Sequence, residues 1–424
     1  MMAGLLFISF IVLIFLGVPV AFSLGVSSLL YLIIADIPLS IIPQRMFGGL
    51  NSFTLLCIPG FILAGNLMNA GGITDRIIHF ANSLLGHIRG GLGLANVGAS
   101  MGFAGISGTA LADTASIGSV MIPSMKKQGY GAGFSSAVTA SSSVVGPIIP
   151  PSLPMIIVGT LGAISIGDLF VAGVIPGALL GLGLMIPTYL ISVKRNYPKG
   201  ERSSLKEIFS SFWGAFWALF MTVIILYGIL GGYFTPTEAS IIAVLYAIIV
   251  GLFIYRELTI KDLPGVILNS MTTAASIMLL VAFANLFGWI MTREQIPQMI
   301  ADSILGFSTN AAVVILLIML LLLFVGTFME TIAALVILFP VLLPVATQIG
   351  MDPIQFGVVM VLTLMLGLMT PPVGVCLFVA SQIGRVSMGK VTIELIPFFA
   401  VGIFVLLLVA FVPQVTLFLP SLFE

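Results

Sequence analysis

Apolar residues run along this chain in long blocks separated by short polar breaks. The blocks cover residues 4–34, 51–69, 92–125, 131–160, 166–192, 211–232, 236–255, 268–291, 310–348, 354–384 and 393–418. Each is about as long as, or longer than, the ~20 residues a helix needs to cross a bilayer. None alternates apolar and polar positions as a barrel strand would. Backbone groups in lipid must be satisfied internally, so the blocks predict helical spans. Two stretches read differently. ITDRIIHFANSLLGH (73–87) and EQIPQMIADSIL (294–305) are amphipathic, which suits helices lying at the membrane interface. The most polar connector, VKRNYPKGERSSLKE (193–207), divides the chain nearly in half.

The halves repeat. At a constant shift of 221 residues, Gly105 falls on Gly326, Pro123 on Pro344, Gly129 on Gly350, Gly146 on Gly367, Pro150 on Pro371, Pro151 on Pro372 and Pro176 on Pro397. Gly and Pro are frequent in membrane helices, but these matches come in runs, such as GPIIPP against GLMTPP. If 92–125 and 310–348 each dip in and return on one side, nine full spans remain. With the N-terminus inside, thirteen of the fifteen Lys and Arg then lie on the inner side, and only Arg45 and Arg293 lie outside. Five spans separate the matched blocks 4–34 and 236–255, and an odd number turns the second copy upside down. The expected architecture is an all-α polytopic membrane protein of two inverted repeats, 1–192 and 211–424, joined by a cytoplasmic linker at 193–210. Each repeat holds a re-entrant hairpin (about 92–125 and 310–348) and a Pro-broken helix (about 131–160 and 354–384). The second repeat has one extra linking helix.

Composition agrees. Of 424 residues, 59% are hydrophobic and 7% charged, against about 25% charged in soluble domains, and mean hydropathy is +1.25. A soluble enzyme, a nucleic-acid binder and a disordered chain are excluded. Cys57 and Cys376 lie in apolar blocks and His79 and His87 are the only histidines, so neither a disulfide nor a zinc site is expected. The opening 22 residues lack a basic leader and a small-residue cleavage site, and read as a retained first span. The lipid bilayer is the expected surrounding.

Chemistry gathers at the hairpins. GISGTALADTASIG (105–118) clusters small and hydroxyl residues where a membrane helix should be most apolar, and GTFMETIAALVI (326–337) occupies the matched place. Each tip holds one acid, Asp113 and Glu330. Embedded carboxylates are costly and mark function by default; the alternative is an acid that only closes the hairpin turn. The broken helices follow at SSSVVGPIIPPSLP (141–154) and LGLMTPPVG (366–374). Adjacent prolines bar a regular helix, freeing carbonyls near Gly146, Ile148 and Pro151, and near Gly367, Met369 and Pro372. Freed carbonyls coordinate small hard cations, and facing helix N-termini suit an anion. Neither tip has Lys or Arg. Arg45 reads as an interfacial anchor, and Asn51, Asn66 and Asn285 sit in or beside spans. The GxSG motif at 105–108 lacks a histidine after His87 to serve as base, which argues against an intramembrane protease. A passive channel fits paired hairpins less well than alternating access does. No nucleotide motif is present.

These motifs resemble the large membrane subunit of the tripartite ATP-independent periplasmic (TRAP) transporters. The resemblance rests on RMFGGLNSFTLLCIPGFILAGNLMNAGGI (45–73), GISGTALADTASIG, GPIIPPS, GGYFTPTEAS (231–240), GTFMET and LGLMTPPVG, and spans nearly the whole chain. It implies a bacterial inner-membrane subunit with its N-terminus cytoplasmic and its C-terminus periplasmic. It also implies two partners: a small four-helix membrane subunit, expected not to be fused to this chain, and a periplasmic substrate-binding protein. The implied activity is sodium-driven import of a small organic anion by an elevator motion, with sodium as coupling ion and no organic cofactor. Carried over by position, one sodium site uses Ser107 with the carbonyls of Gly146, Ile148 and Pro151. The other uses Gly326, Thr327 and Glu330 with Gly367, Met369 and Pro372. Substrate would lie near Ser107, Gly108, Thr109 and Asp113. Many relatives have Ser where Thr109 stands, which keeps the hydroxyl. Some sugar-acid members lack the acid at Asp113, which points to a carboxylate other than sialic acid. A stand-alone carrier of the same architecture is the alternative.

Overall fold

The computed structural model describes residues 2–307 and 310–422, and among them every regular element is a helix. The apolar block 4–34, expected as one span, is two helices packed on each other, α1 (Met2–Phe15) and α2 (Val20–Ile34). Gly17 at φ +81 and Pro19 stop the helix between them. At 1.5 Å per residue each is little more than about 20 Å long, short of the ~30 Å hydrocarbon core. Next come α3 (Ile41–Leu50), α4 (Cys57–Ala70) and the amphipathic α5 (Ile73–Leu85), which buries Ile73, Ile77 and Ala81.

The first hairpin is α6 (Gly91–Ser107) and α7 (Ala110–Lys127). Its turn is two residues long. Gly108 takes φ +67, which a side chain would resist, and the Thr109 hydroxyl caps α7 by accepting from the Ala112 amide at 3.3 Å. Then α8 (Ala132–Ser143) breaks and resumes as α9 (Leu153–Gly162), which Ser152 caps. After α10 (Ile166–Lys194), α11 (Leu205–Leu230) opens on the capping box of Ser204 and Glu207. The polar connector thus turns into a span at that point. α12 (Pro236–Ile249) opens on a second box, Thr235 with Glu238, and continues as a π-helical turn to Tyr255. α13 (Leu263–Arg293) and the short α14 (Ile296–Phe307) lead to the second hairpin, α15 (Ala311–Gly326) and α16 (Thr331–Gln348). α17 (Pro353–Leu368), capped by Asp352, breaks and resumes as α18 (Val375–Gly384). α19 (Met388–Phe411) and α20 (Gln414–Leu417) follow. Among the described residues seven helical stretches are long and apolar enough to cross a membrane: 53–70, α10, α11, α12 with its π-helical turn, α13, α16 and α19.

The helices pack in two groups. In one, α13 lies on α2, α3 and α4, and α12 lies on α4 and α11. Asn66 of α4 donates to Ser270 of α13 at 2.9 Å. The other group holds the hairpins and breaks: α7 on α8, α18 on both, α15 on α17, and α16 on α9 and α17, with α10 and α19 alongside. Polar pairs tie it together. Asn96 donates to Thr139 at 2.6 Å and Ser100 to Ser142 at 2.8 Å, joining α6 to α8. Lys126, ending α7, donates to the Gly384 carbonyl at 2.8 Å, ending α18. α5 and α14 lie between the groups as amphipathic links, and α4 also packs directly on α6 and α13 on α16. α5 packs on α6 and α11, and α14 packs on α16 and α13.

Candidate functional site

The hairpin tips and the helix breaks meet. A cavity of about 220 Å³ lies between them, lined by 108–111 of the first tip and 330–332 of the second. Pro147 and Pro154 of one break, and Met365, Leu368, Val375 and Cys376 around the other, complete it. Each break carries a cis bond, Pro150–Pro151 and Pro371–Pro372.

Asp113 is fully buried in the first turn of α7. Its carboxylate lies against the bare backbone of Gly146, where an added Cβ would stand 2.1 Å from Oδ2. A buried carboxylate needs strong compensation, and the α7 N-terminus supplies part of it. Cys376 sits beside Asp113 and Thr114, and the Thr114 hydroxyl donates to the Ala110 carbonyl at 2.8 Å. At the first break Ser152 donates to the Pro147 carbonyl. No amide among the described residues donates to the carbonyls of Gly146 or Pro151. The Ile148 carbonyl likewise receives no amide among the described residues and packs on Gly173 of α10, 2.4 Å from where a Cβ there would stand. The Ser107 side chain lies outside the described residues.

The second break is built on a close crossing. A Cβ at Gly367 of α17 would stand 2.6 Å from the Gly326 Cα of α15, so only glycine fits. Thr327 donates its hydroxyl to the Phe324 carbonyl at 2.8 Å and accepts the Gly374 amide at 3.0 Å. The Gly367 carbonyl, expected to be free, already accepts the Thr370 amide at 2.9 Å. Those of Met369 and Pro372 receive no amide among the described residues. Glu330 is open to the cavity and caps α16: its Oε2 accepts the amides of Ile332 at 3.0 Å and Ala333 at 3.3 Å.

The structure therefore gathers Gly108, Thr109 and Glu330 at one cavity and sets Asp113 behind it on Gly146. It places Arg45 elsewhere, stacked 4.9 Å from the Trp289 ring. Asn285 packs on Gly49, also away from the cavity. Sequence reasoning passed over Thr331 and Cys376. Thr331 follows Glu330 directly, so its place at the head of a capped helix was a usable signal. The contact of Cys376 with the first tip joins residues far apart in sequence, and no local pattern announces it. A larger open cleft of about 600 Å³, between α5 and α11, is separate from the tips and carries Arg76, His79 and Glu207.

Residues 7–415 match the family described as tripartite ATP-independent periplasmic transporter, DctM component. The chain belongs to the TRAP transporter family. It is 45% identical over 412 residues to the sialic acid TRAP transporter large permease protein SiaM of Vibrio cholerae, covering 97% of this chain and 96% of that protein. It is 36% identical over 437 residues to the C4-dicarboxylate TRAP transporter large permease protein DctM of Rhodobacter capsulatus, covering 100% and 99%. In three dimensions it is similar to the Alcanivorax borkumensis YdaH transporter, with a TM-score of 0.61 at 14% identity over 87% of this chain and 86% of that one. That last likeness speaks for the fold alone. This TRAP chain is a multi-pass membrane permease subunit and not an enzyme.

Proposed function

We propose that this TRAP permease imports a small organic anion, driven by sodium and delivered by a periplasmic binding protein, with a small membrane subunit at its side. The observation that carries the reading is Asp113 pressed on Gly146 between a hairpin tip and a broken helix. A buried carboxylate on a helix break whose Gly146 and Pro151 carbonyls receive no amide among the described residues suits a desolvated monovalent cation. Gly146, Pro151 and Asp113 would hold one ion. The carbonyls of Met369 and Pro372, with Gly326, Thr327 and the remaining lone pair of Gly367, would hold another. The substrate would fill the cavity between the tips.

The halves are read as inverted copies, with their tips entering from opposite sides. The two packing groups, linked through α5 and α14, support a motion in which the hairpins and breaks slide as one body against the helices around α13. The names of the relatives differ in substrate, so the organic acid is not inherited from likeness. The test is uptake by proteoliposomes holding the chain with its two partners. Uptake should stop when the sodium gradient is collapsed and persist when only the proton gradient is. Sodium-independent uptake would end the coupling reading. Full activity of the chain without partners would favour a stand-alone carrier.

A further inference from the structure

Resting on the reading of the chain as a carrier of organic anions, we infer that a groove on the seam between the two packing groups, separate from the inter-tip cavity, is a second carboxylate-binding site. Two clefts, of about 250 Å³ and about 500 Å³, both touch Ser52 and Thr160 and so form one groove. One wall belongs to the group around α13 and includes Gly49, Ser52, Thr54 and Asn285. The other belongs to the group of hairpins and breaks, with Thr160 of α9 and Ser165 at the head of α10.

Polar side chains in this wall are free to take a ligand. Asn285 is exposed, although it lies eight residues before Arg293, where the spanning helix α13 ends. That is about 12 Å below the helix end. Its side chain rests on the bare backbone of Gly49, where an added Cβ would stand 2.5 Å from the Asn285 Cβ. Its amide has no hydrogen-bond partner among the described residues. Ser52 precedes the helical stretch 53–70, yet its hydroxyl does not cap it. Polar groups at this depth are costly unless they meet water or a ligand.

The field at the groove favours an anion. Three spans begin on it and run away from it: 53–70, α10 and α12. Helix N-termini are positive. Two of them are answered by their own acids, Asp168 in the first turn of α10 and Glu238 in the capping box of α12. The third has no acid in its first turn and no side-chain cap. No acceptor among the described residues takes the amides of Phe53 and Thr54. No charged side chain lines either cleft, so the charge of a ligand is met by this dipole and by neutral donors. A carboxylate has two acceptor oxygens for the Ser52 hydroxyl and the Asn285 amide. An ammonium group would meet the same positive helix end and is disfavoured.

Position suits delivery. The groove and the polar linker lie at opposite ends of α10, which is 29 residues long. With the linker cytoplasmic, the groove is on the side from which substrate would come. Pro154 lines the inter-tip cavity and Thr160 the groove, six residues or about 9 Å apart along α9. A carboxylate held in the groove stands one short helix from the tips.

The test uses the purified full chain with Thr160→Cys in sodium buffer, and follows labelling by the neutral reagent methyl methanethiosulfonate. Cys57 and Cys376 are fully buried, so the new thiol dominates the signal. Sodium acetate at about 50 mM should slow labelling by at least about fivefold, as filling of a millimolar site requires. Sodium chloride or acetamide at the same concentration should change it less than about twofold. Asn285→Leu and Ser52→Ala each remove a donor and should bring the acetate effect below about twofold. Thr54→Cys is measured in the same way, so that a folding defect of Thr160→Cys leaves the answer intact. Ser421→Cys, exposed and outside the groove, should show no acetate effect. Protection kept in Leu111→Trp, which fills the inter-tip cavity, supports a separate site. Protection lost in that variant places acetate between the tips and overturns the second site while the first stands. Absent protection, equal protection by chloride, protection that survives both donor variants, or an equal effect at Ser421→Cys overturns it as well. None of these outcomes touches sodium-driven uptake, on which the transport reading stands or falls.

Discussion

Gly146→Ala tests the contact on which the ion site rests. The new methyl would stand 2.1 Å from Oδ2 of Asp113, where ordinary contact begins near 3.4 Å. The overlap is therefore about 1.3 Å, and something must move. Asp113 hangs from a helix packed against α8 and α18, so its carboxylate must turn away. Overpacking of this kind costs about 1–3 kcal/mol. A displaced carboxylate should also weaken sodium binding, by roughly 5- to 150-fold if the same energy is lost there. The assay is a double-mutant cycle. Unfolding and sodium titration are followed for wild type, Gly146→Ala, Asp113→Ala and the double variant. Alanine at 113 removes the oxygen, so Gly146→Ala should then cost less than about 0.5 kcal/mol, a coupling well above the error expected for independent sites. If Gly146→Ala costs the same in both backgrounds, the carboxylate does not lie on Gly146 and the ion site must be sought elsewhere.

Gly367→Ala should destabilise more stubbornly, because its Cβ would meet the Gly326 backbone at 2.6 Å and no side chain can step aside. Gly214→Ala, with nothing within 4 Å, should be neutral or stabilising by about 0.5–1 kcal/mol in thermal unfolding; equal effects would refute the crossing. Glu330→Ala should cost about 1 kcal/mol of stability through the lost helix cap, whereas Glu330→Asp, an effective cap in its own right, should cost less. Arg195→Ala should change stability by no more than about 1 kcal/mol. Its partner Glu394 is 2.8 Å away, but the guanidinium side chain is 42% exposed, and such pairs are screened by salt. A loss of several kcal/mol at high salt would show that the pair does more than join α10 to α19.

What could be read in advance follows from where the information lies. The turns of the first hairpin and the ends of α8 and α17 were legible because Gly and Pro act on their own neighbours: Gly108 permits the turn, and the Pro pairs forbid continuation. The division of α1 from α2 was equally local, at Gly17 and Pro19, but it was hidden inside a block whose hydropathy never falls. Counting apolar residues measures transfer to lipid and is blind to a reversal within lipid. The fate of individual carbonyls was not legible. Gly146, Ile148 and Pro151 receive no amide among the described residues, whereas Gly367 shares its own with Thr370. Which carbonyl is free depends on packing that no neighbouring residue encodes.

The same point explains why a carboxylate tolerates this depth at all. Burying Asp113 costs several kcal/mol unless partners compensate, and the chain assembles them from three separate stretches. The α7 N-terminus gives a dipole, Gly146 gives up its side chain so that the oxygen can reach backbone, and Cys376 closes the side facing α18. Each stretch is unremarkable by itself: a capped helix, a glycine before a proline, a cysteine among apolar residues. Only when both breaks and the first hairpin pack as one body does the acid gain its surroundings. Any motion that carries substrate must then move these three stretches together, since separating them would strand the charge in the membrane.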